Sequence, residues 1–99
     1  MKIIVDGHTY EVNNFEGDET QTIQFIHKSV RNGNLVTVKN GTTNEEILSI
    51  LIDRMKFLNL TVPCRENSIV ITKLEEALMW LEKRTSDRLK RGVESTNKI

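Results

Sequence analysis

Residues 63–92 read PCRENSIVITKLEEALMWLEKRTSDRLKRG, and this stretch decides the fold. It is long, apolar at helical spacing, opened by a proline and closed by a glycine. On a helix advancing ~100° per residue, Val70, Leu74, Ala77, Leu81 and Thr85 fall on one stripe. Arg84, Arg88 and Arg91 lie beside that stripe at i, i+4 and i+7, together with Lys73 and Trp80. Arginines placed only for solubility belong opposite the apolar stripe. On its flank, their guanidinium groups rim whatever the stripe packs against and suit an anion.

Upstream, Thr43-Asn44-Glu45-Glu46 reads as a capping box that opens a shorter helix. Its apolar stripe is Ile47, Leu51, Met55 and Leu58. The helix is expected to fade near Asn59, because Pro63 disfavours helical geometry just before it. The long helix then starts near Glu66 and stops at Gly92. So short a connection makes the two helices an antiparallel hairpin.

The first forty residues change character. Lys2–Val5 and Thr9–Val12 alternate around Asp6-Gly7, a hairpin signal. Asn13–Glu19 is a polar, acidic loop. Thr22–Val30 is rich in β-branched residues and reads as one longer strand. Arg31–Asn34 is a turn, and Leu35–Lys39 pairs back as a fourth strand. The expected fold is α+β, an N-terminal antiparallel meander (1–40) packed on a C-terminal helical hairpin (43–92). The two would form a single domain over 1–99, with a flexible tail over 93–99.

Composition narrows the functional classes. Hydrophobic content is 37% and aromatic content 5%, so a monomeric core would be thin and self-association is the simplest remedy. Net charge is zero, yet residues 1–60 hold six Lys/Arg against eight Asp/Glu, and residues 61–99 hold eight against six. Between residues 83 and 91, five cations face Asp87 alone. A protein gripping long nucleic acid carries a broader basic excess, so a local cluster suits a small anion better. Cys64 is the single cysteine, which excludes an internal disulfide and a cysteine-based metal site. No segment resembles a signal peptide or a membrane span, and the cytosol is the expected compartment.

Nothing in the chain supports turnover. His8 and His27 are far apart in sequence and lack an evident nucleophile. Glu45-Glu46 and Glu75-Glu76 are adjacent helix residues that do not face each other. There is no phosphate loop, zinc spacing, cofactor motif or Ser/His/Asp set.

The runs ENSIVITKLEEALMW and LEKRTSDRLKRGVE resemble the C-terminal helix of the phage Thoeris anti-defence sponges. NGTTNEEILSILIDRMKFLN and MKIIVDGHTYEVNNFEG also fit that family. More loosely, the hairpin is similar to that of phage anti-CBASS sponges. The resemblance implies a non-enzymatic protein, acting in the cytoplasm of an infected bacterial host. It would bind a glyco-cyclic ADP-ribose signal without degrading it and so keep the Thoeris effector inactive.

It also implies a set of site residues. Phe57, roughly 120° from the centre of the first helix's stripe, is by itself either an interface residue or a base-stacking platform; the resemblance favours stacking on adenine. Arg84 and Arg88 match positions that line the ligand pocket and suit a diphosphate. Asn67 is either a helix cap or a contact to a ribose hydroxyl or phosphate. Trp80 reads best as an anchor between protomers.

The resemblance further implies a homodimer or a hexamer, with the pocket between protomers. Some relatives carry a second site for cyclic oligonucleotides, for which no motif maps here. The alternative is a small oligomeric nucleic-acid-binding regulator that uses the basic cluster on phosphates.

Overall fold

The computed structural model describes residues 1–92. The expected tail over 93–99 lies outside the described residues. The chain forms two compact units, Met1–Thr43 and a helical unit beginning at Asn44. The class is α+β, with five antiparallel strands followed by a helical hairpin.

In the first unit, β1 (Lys2–Val5), β2 (Thr9–Asn13) and β3 (Thr20–Gln24) form a three-stranded antiparallel sheet in the order β1-β2-β3. β4 (His27–Arg31) and β5 (Asn34–Lys39) form a separate two-stranded sheet. Asn32 and Gly33, at φ 53° and 78°, make the turn between β4 and β5. Two consecutive positive φ values define the tight hairpin turn whose twist matches the strands, and Asn-Gly is the pair that tolerates it.

The strand expected over Thr22–Val30 is broken at Phe25-Ile26. The returning chain takes over the backbone hydrogen bonds there. Thr42 N–H donates to Gln24 O at 2.8 Å, and Ile26 N–H donates to Thr42 O at 2.8 Å. On the other side, Phe25 N–H donates to His8 O at 2.7 Å. The crossing requires Gly41. A Cβ there would collide with Gln24 O and lie 2.6 Å from the Phe25 carbonyl carbon, both backbone atoms. Gly41→Ala is therefore expected to cost about 1–3 kcal/mol, as overpacking does. A thermal melt that matches the wild type would show that the crossing is not needed.

The interior of this unit is small. Thr9 is its one buried residue, and its hydroxyl donates to Gln24 Oε1 at 2.6 Å. Gln24 Nε2 in turn donates to Phe25 O at 2.7 Å. Tyr10 meets Phe25 edge to face at 5.9 Å between ring centroids. His8 and His27, distant in sequence, stack at 3.8 Å with 9° between their planes.

In the second unit, α1 (Asn44–Thr61) and α2 (Arg65–Lys90) run antiparallel, joined by residues 62–64. Lys56 Nζ to Glu75 Oε2 at 3.3 Å and Asn59 Nδ2 to Ser68 Oγ at 3.5 Å fix their register. The buried seam differs from the expected stripes. On α2 the sheltered positions are Asn67, Ile71, Leu74, Leu78, Leu81, Thr85 and Arg88, spaced alternately by four and three. That is the repeat of two helices packed along their length. It half-buries Ile71 and Leu78 in place of Val70 and Ala77, which are smaller. On α1 the line is Glu45, Leu48, Ile52, Met55 and Asn59, with Ile47 half-buried beside it. Leu51 and Leu58 are left 41% and 37% exposed. Ile52 is the one buried apolar residue among those described, so the hairpin retains a broad uncovered apolar surface.

Candidate functional site

Phe57 projects from the outer side of α1, nearly opposite the seam, and is 67% exposed. Its position follows from helical spacing: the sheltered Leu48, Ile52 and Met55 face α2, which turns Ile50 and Phe57 together to the other side. A shallow cavity of about 580 Å³ runs along that side, lined by Ser49, Ile50, Asp53, Arg54 and Phe57. Sequence reasoning passed over Arg54, whose signal was its i, i+3 spacing from Phe57. An exposed ring beside a guanidinium can stack on a flat base and hold nearby negative charge.

Asn67 lies in the first turn of α2, half-sheltered. It is not the cap. That position belongs to Cys64, in extended conformation, whose Sγ accepts the Asn67 N–H at 3.4 Å. The Asn67 side-chain amide donates to Val62 O at 3.4 Å. Asn59 Oδ1 accepts the Cys64 N–H at 3.1 Å, so two asparagines brace the connection. The carboxamide oxygen of Asn67 is not needed for capping and is available to accept from a hydroxyl.

Arg84 and Arg88, one turn apart, share a flank of α2 and differ in exposure. Arg84 is exposed, in a groove of about 470 Å³ lined by Trp80, Lys83, Arg84, Asp87 and Arg91. Lys83 Nζ pairs with Asp87 Oδ2 at 2.8 Å. That hydrogen bond, then the Lys83 charge, and more weakly Lys90 and Arg91, hold the Asp87 carboxyl below its ordinary range. The groove's one acid is thereby committed to Lys83, and among the described residues Arg84 pairs with no carboxylate. Arg88 instead continues the seam and is half-sheltered.

The four candidates do not converge within one hairpin. Asn67 precedes Arg84 by seventeen residues on one continuous helix, about 26 Å of rise. The Lys56–Glu75 and Asn59–Ser68 contacts place Phe57 level with the stretch around residue 72. That leaves it about 18 Å along the axis from Arg84. The hairpin thus carries a base-and-hydroxyl end (Phe57, Asn67) and an anion end (Arg84, Arg88). Among the described residues no group of three or more His, Cys, Asp or Glu could hold a metal ion. No described helix is long and apolar enough to cross a membrane.

Residues 18–86 match the family described as "Acb2/Tad1, hairpin domain". The matched region contains Phe57, Asn67 and Arg84 and stops two residues short of Arg88. A protein named "Thoeris anti-defense 1", from Bacillus phage SBSphiJ7, is 54% identical over 59 residues. That alignment spans 59% of this chain and 42% of the relative, less than half of the relative's length.

Proposed function

The chain belongs to the Acb2/Tad1 hairpin-domain family, and on that premise we propose that it is a phage anti-defence sponge. It captures a cyclic ADP-ribose-type signal, of the glyco-cyclic kind, in the cytoplasm of the infected bacterium. Capture without degradation keeps the Thoeris effector inactive. The observation that carries this reading is the 54% identity to a protein named for Thoeris anti-defence.

The geometry supports a site shared by two copies. Within one hairpin about 18 Å of helix rise separates Phe57 from Arg84, more than a compact cyclic nucleotide spans. Two hairpins laid antiparallel bring the base-and-hydroxyl end of one beside the anion end of the other, twice per pair. Phe57 then stacks the adenine and Asn67 fixes a hydroxyl. Arg84 and Arg88, from the second copy, neutralise the diphosphate through bidentate hydrogen bonds. The smallest assembly that does this is a homodimer, and the exposed Ile50, Phe57 and Trp80 supply apolar surface for it.

Function then requires no chemistry. The protein lowers the free signal by mass action, and its capacity is set by its number of sites. The test is to mix purified protein with extract from defence-activated cells, remove free solutes, heat-denature it and identify what is released. An intact cyclic nucleotide, in amounts no greater than the protein, is expected. A linear or hydrolysed product in excess over protein would overturn the reading in favour of an enzyme. Release of nucleic acid, with affinity falling steeply as salt rises, would favour the phosphate-binding regulator.

A further inference from the structure

The cavity beside Phe57 holds one uncommitted acceptor and one uncommitted donor. Of its polar lining residues, Ser49 commits its hydroxyl to the α1 backbone, donating to Glu45 O at 2.8 Å. Asp53 and Arg54 are exposed, and among the described residues neither side chain has an ion-pair or hydrogen-bond partner. Being consecutive on a helix, they point about 100° apart and do not neutralise each other. They precede Phe57 by four and three residues, one on either side of its position on the helix. Helical side chains lean toward the N-terminus, so the Phe57 ring lies over the turn that carries both. A flat base stacked on that ring presents an edge to a carboxylate, which only accepts, and to a guanidinium, which only donates.

An edge that offers a donor next to an acceptor satisfies both groups. Adenine does so with its N6 amine and N7, whereas guanine and hypoxanthine offer two acceptors there, O6 and N7. On the footing that Phe57 stacks the base, we propose that Asp53 and Arg54 read its identity. Asp53 accepts the N6–H, and Arg54 donates to N7. The site is then selective for adenine over 6-oxopurines. A 6-oxo base sets O6 against the Asp53 carboxylate, and the penalty of two opposed acceptors adds to the lost hydrogen bond.

The test compares ligands that differ only in the base: a glyco-cyclic ADP-ribose and its hypoxanthine and 7-deazaadenine counterparts, titrated by calorimetry. Wild-type protein is expected to bind the hypoxanthine compound roughly tenfold or more weakly than the adenine compound, the discrimination of a two-point base contact. The 7-deaza compound lacks the N7 acceptor and should also bind roughly tenfold more weakly. Asp53→Asn supplies an amide that accepts through oxygen or donates through nitrogen. It should bring the adenine and hypoxanthine affinities together, chiefly by tightening the hypoxanthine compound, a gain that structural damage does not produce. Arg54→Met should bind the adenine and 7-deaza compounds equally, while still discriminating against hypoxanthine.

Equal affinity of wild-type protein for the adenine and hypoxanthine compounds would overturn the proposal, since solvated surface charges give that result. So would discrimination that survives Asp53→Asn, which places the reading group elsewhere. Both outcomes leave nucleotide capture standing. Failure of wild-type protein to bind the adenine compound at all is a separate result, and it removes the sponge reading and the base contact together.

Discussion

Alanine at both Arg84 and Arg88 is expected to weaken capture of the cyclic nucleotide more than 100-fold while the protein stays folded. Each guanidinium makes charge-assisted hydrogen bonds to the diphosphate in the proposed site, worth about 1.5–3 kcal/mol apiece. That corresponds to roughly 10- to 150-fold in affinity for each single variant. Arg84 is exposed and, among the described residues, pairs with no carboxylate, so its loss should leave stability within about 0.5 kcal/mol of wild type. Arg88 is half-sheltered at the end of the seam, and a thermal melt must accompany its titration. Lys2→Ala, at the start of β1, should leave binding unchanged. If Lys2→Ala weakened binding as much as Arg84→Ala, diffuse charge attraction rather than a defined site would be responsible.

The sequence carried the elements of the fold further than it carried their faces. Both helices, the proline-marked connection and the turns at Asp6-Gly7 and Asn32-Gly33 were legible because each depends on local chemistry. Backbone sterics, proline's missing donor and tolerance of positive φ all act within a few residues. The break at Phe25-Ile26 was not legible. Thr22–Val30 has strand propensity throughout, and what divides it is hydrogen bonding from Thr42, seventeen residues beyond Phe25. The requirement at Gly41 is likewise a collision between segments remote in sequence.

The helix seam shows the same limit. Val70, Leu74, Ala77 and Leu81 make an acceptable stripe on an isolated helix, and Ile71, Leu74, Leu78 and Leu81 make another. The partner helix decides between them, because the second set shelters larger side chains on a 3.5-residue repeat. On that seam Arg88 lies half-sheltered at the edge, while Arg84, one turn earlier on the same flank, is exposed. Cys64 as the helix cap had no usable signal, because sulfur is a weak acceptor and cysteine is not among the preferred capping residues. The four candidate residues were chosen from the resemblance, and their separation into two ends emerged from the hairpin's register.

That separation gives the second prediction, which tests the shared site directly. One variant, Arg84→Ala/Arg88→Ala, retains the base-and-hydroxyl end, and a second, Phe57→Ala/Asn67→Ala, retains the anion end. Neither is expected to capture nucleotide alone, since loss of base stacking alone costs roughly 1–3 kcal/mol. When the two are unfolded together and refolded at equal concentration, random pairing makes about half of the dimers mixed. In a mixed dimer one site combines the intact end of each chain, and the other combines both damaged ends. About one quarter of the wild-type number of sites should therefore reappear, with wild-type affinity. Sites of normal affinity cannot arise on mixing if all four residues act within a single chain, so a mixture as inactive as its components would rule out the shared pocket. The number and affinity of the sites, read together by titration calorimetry, make the distinction sharp. Partial strength at every site would indicate damaged pockets, whereas full strength at a quarter of them would indicate pockets built across two copies.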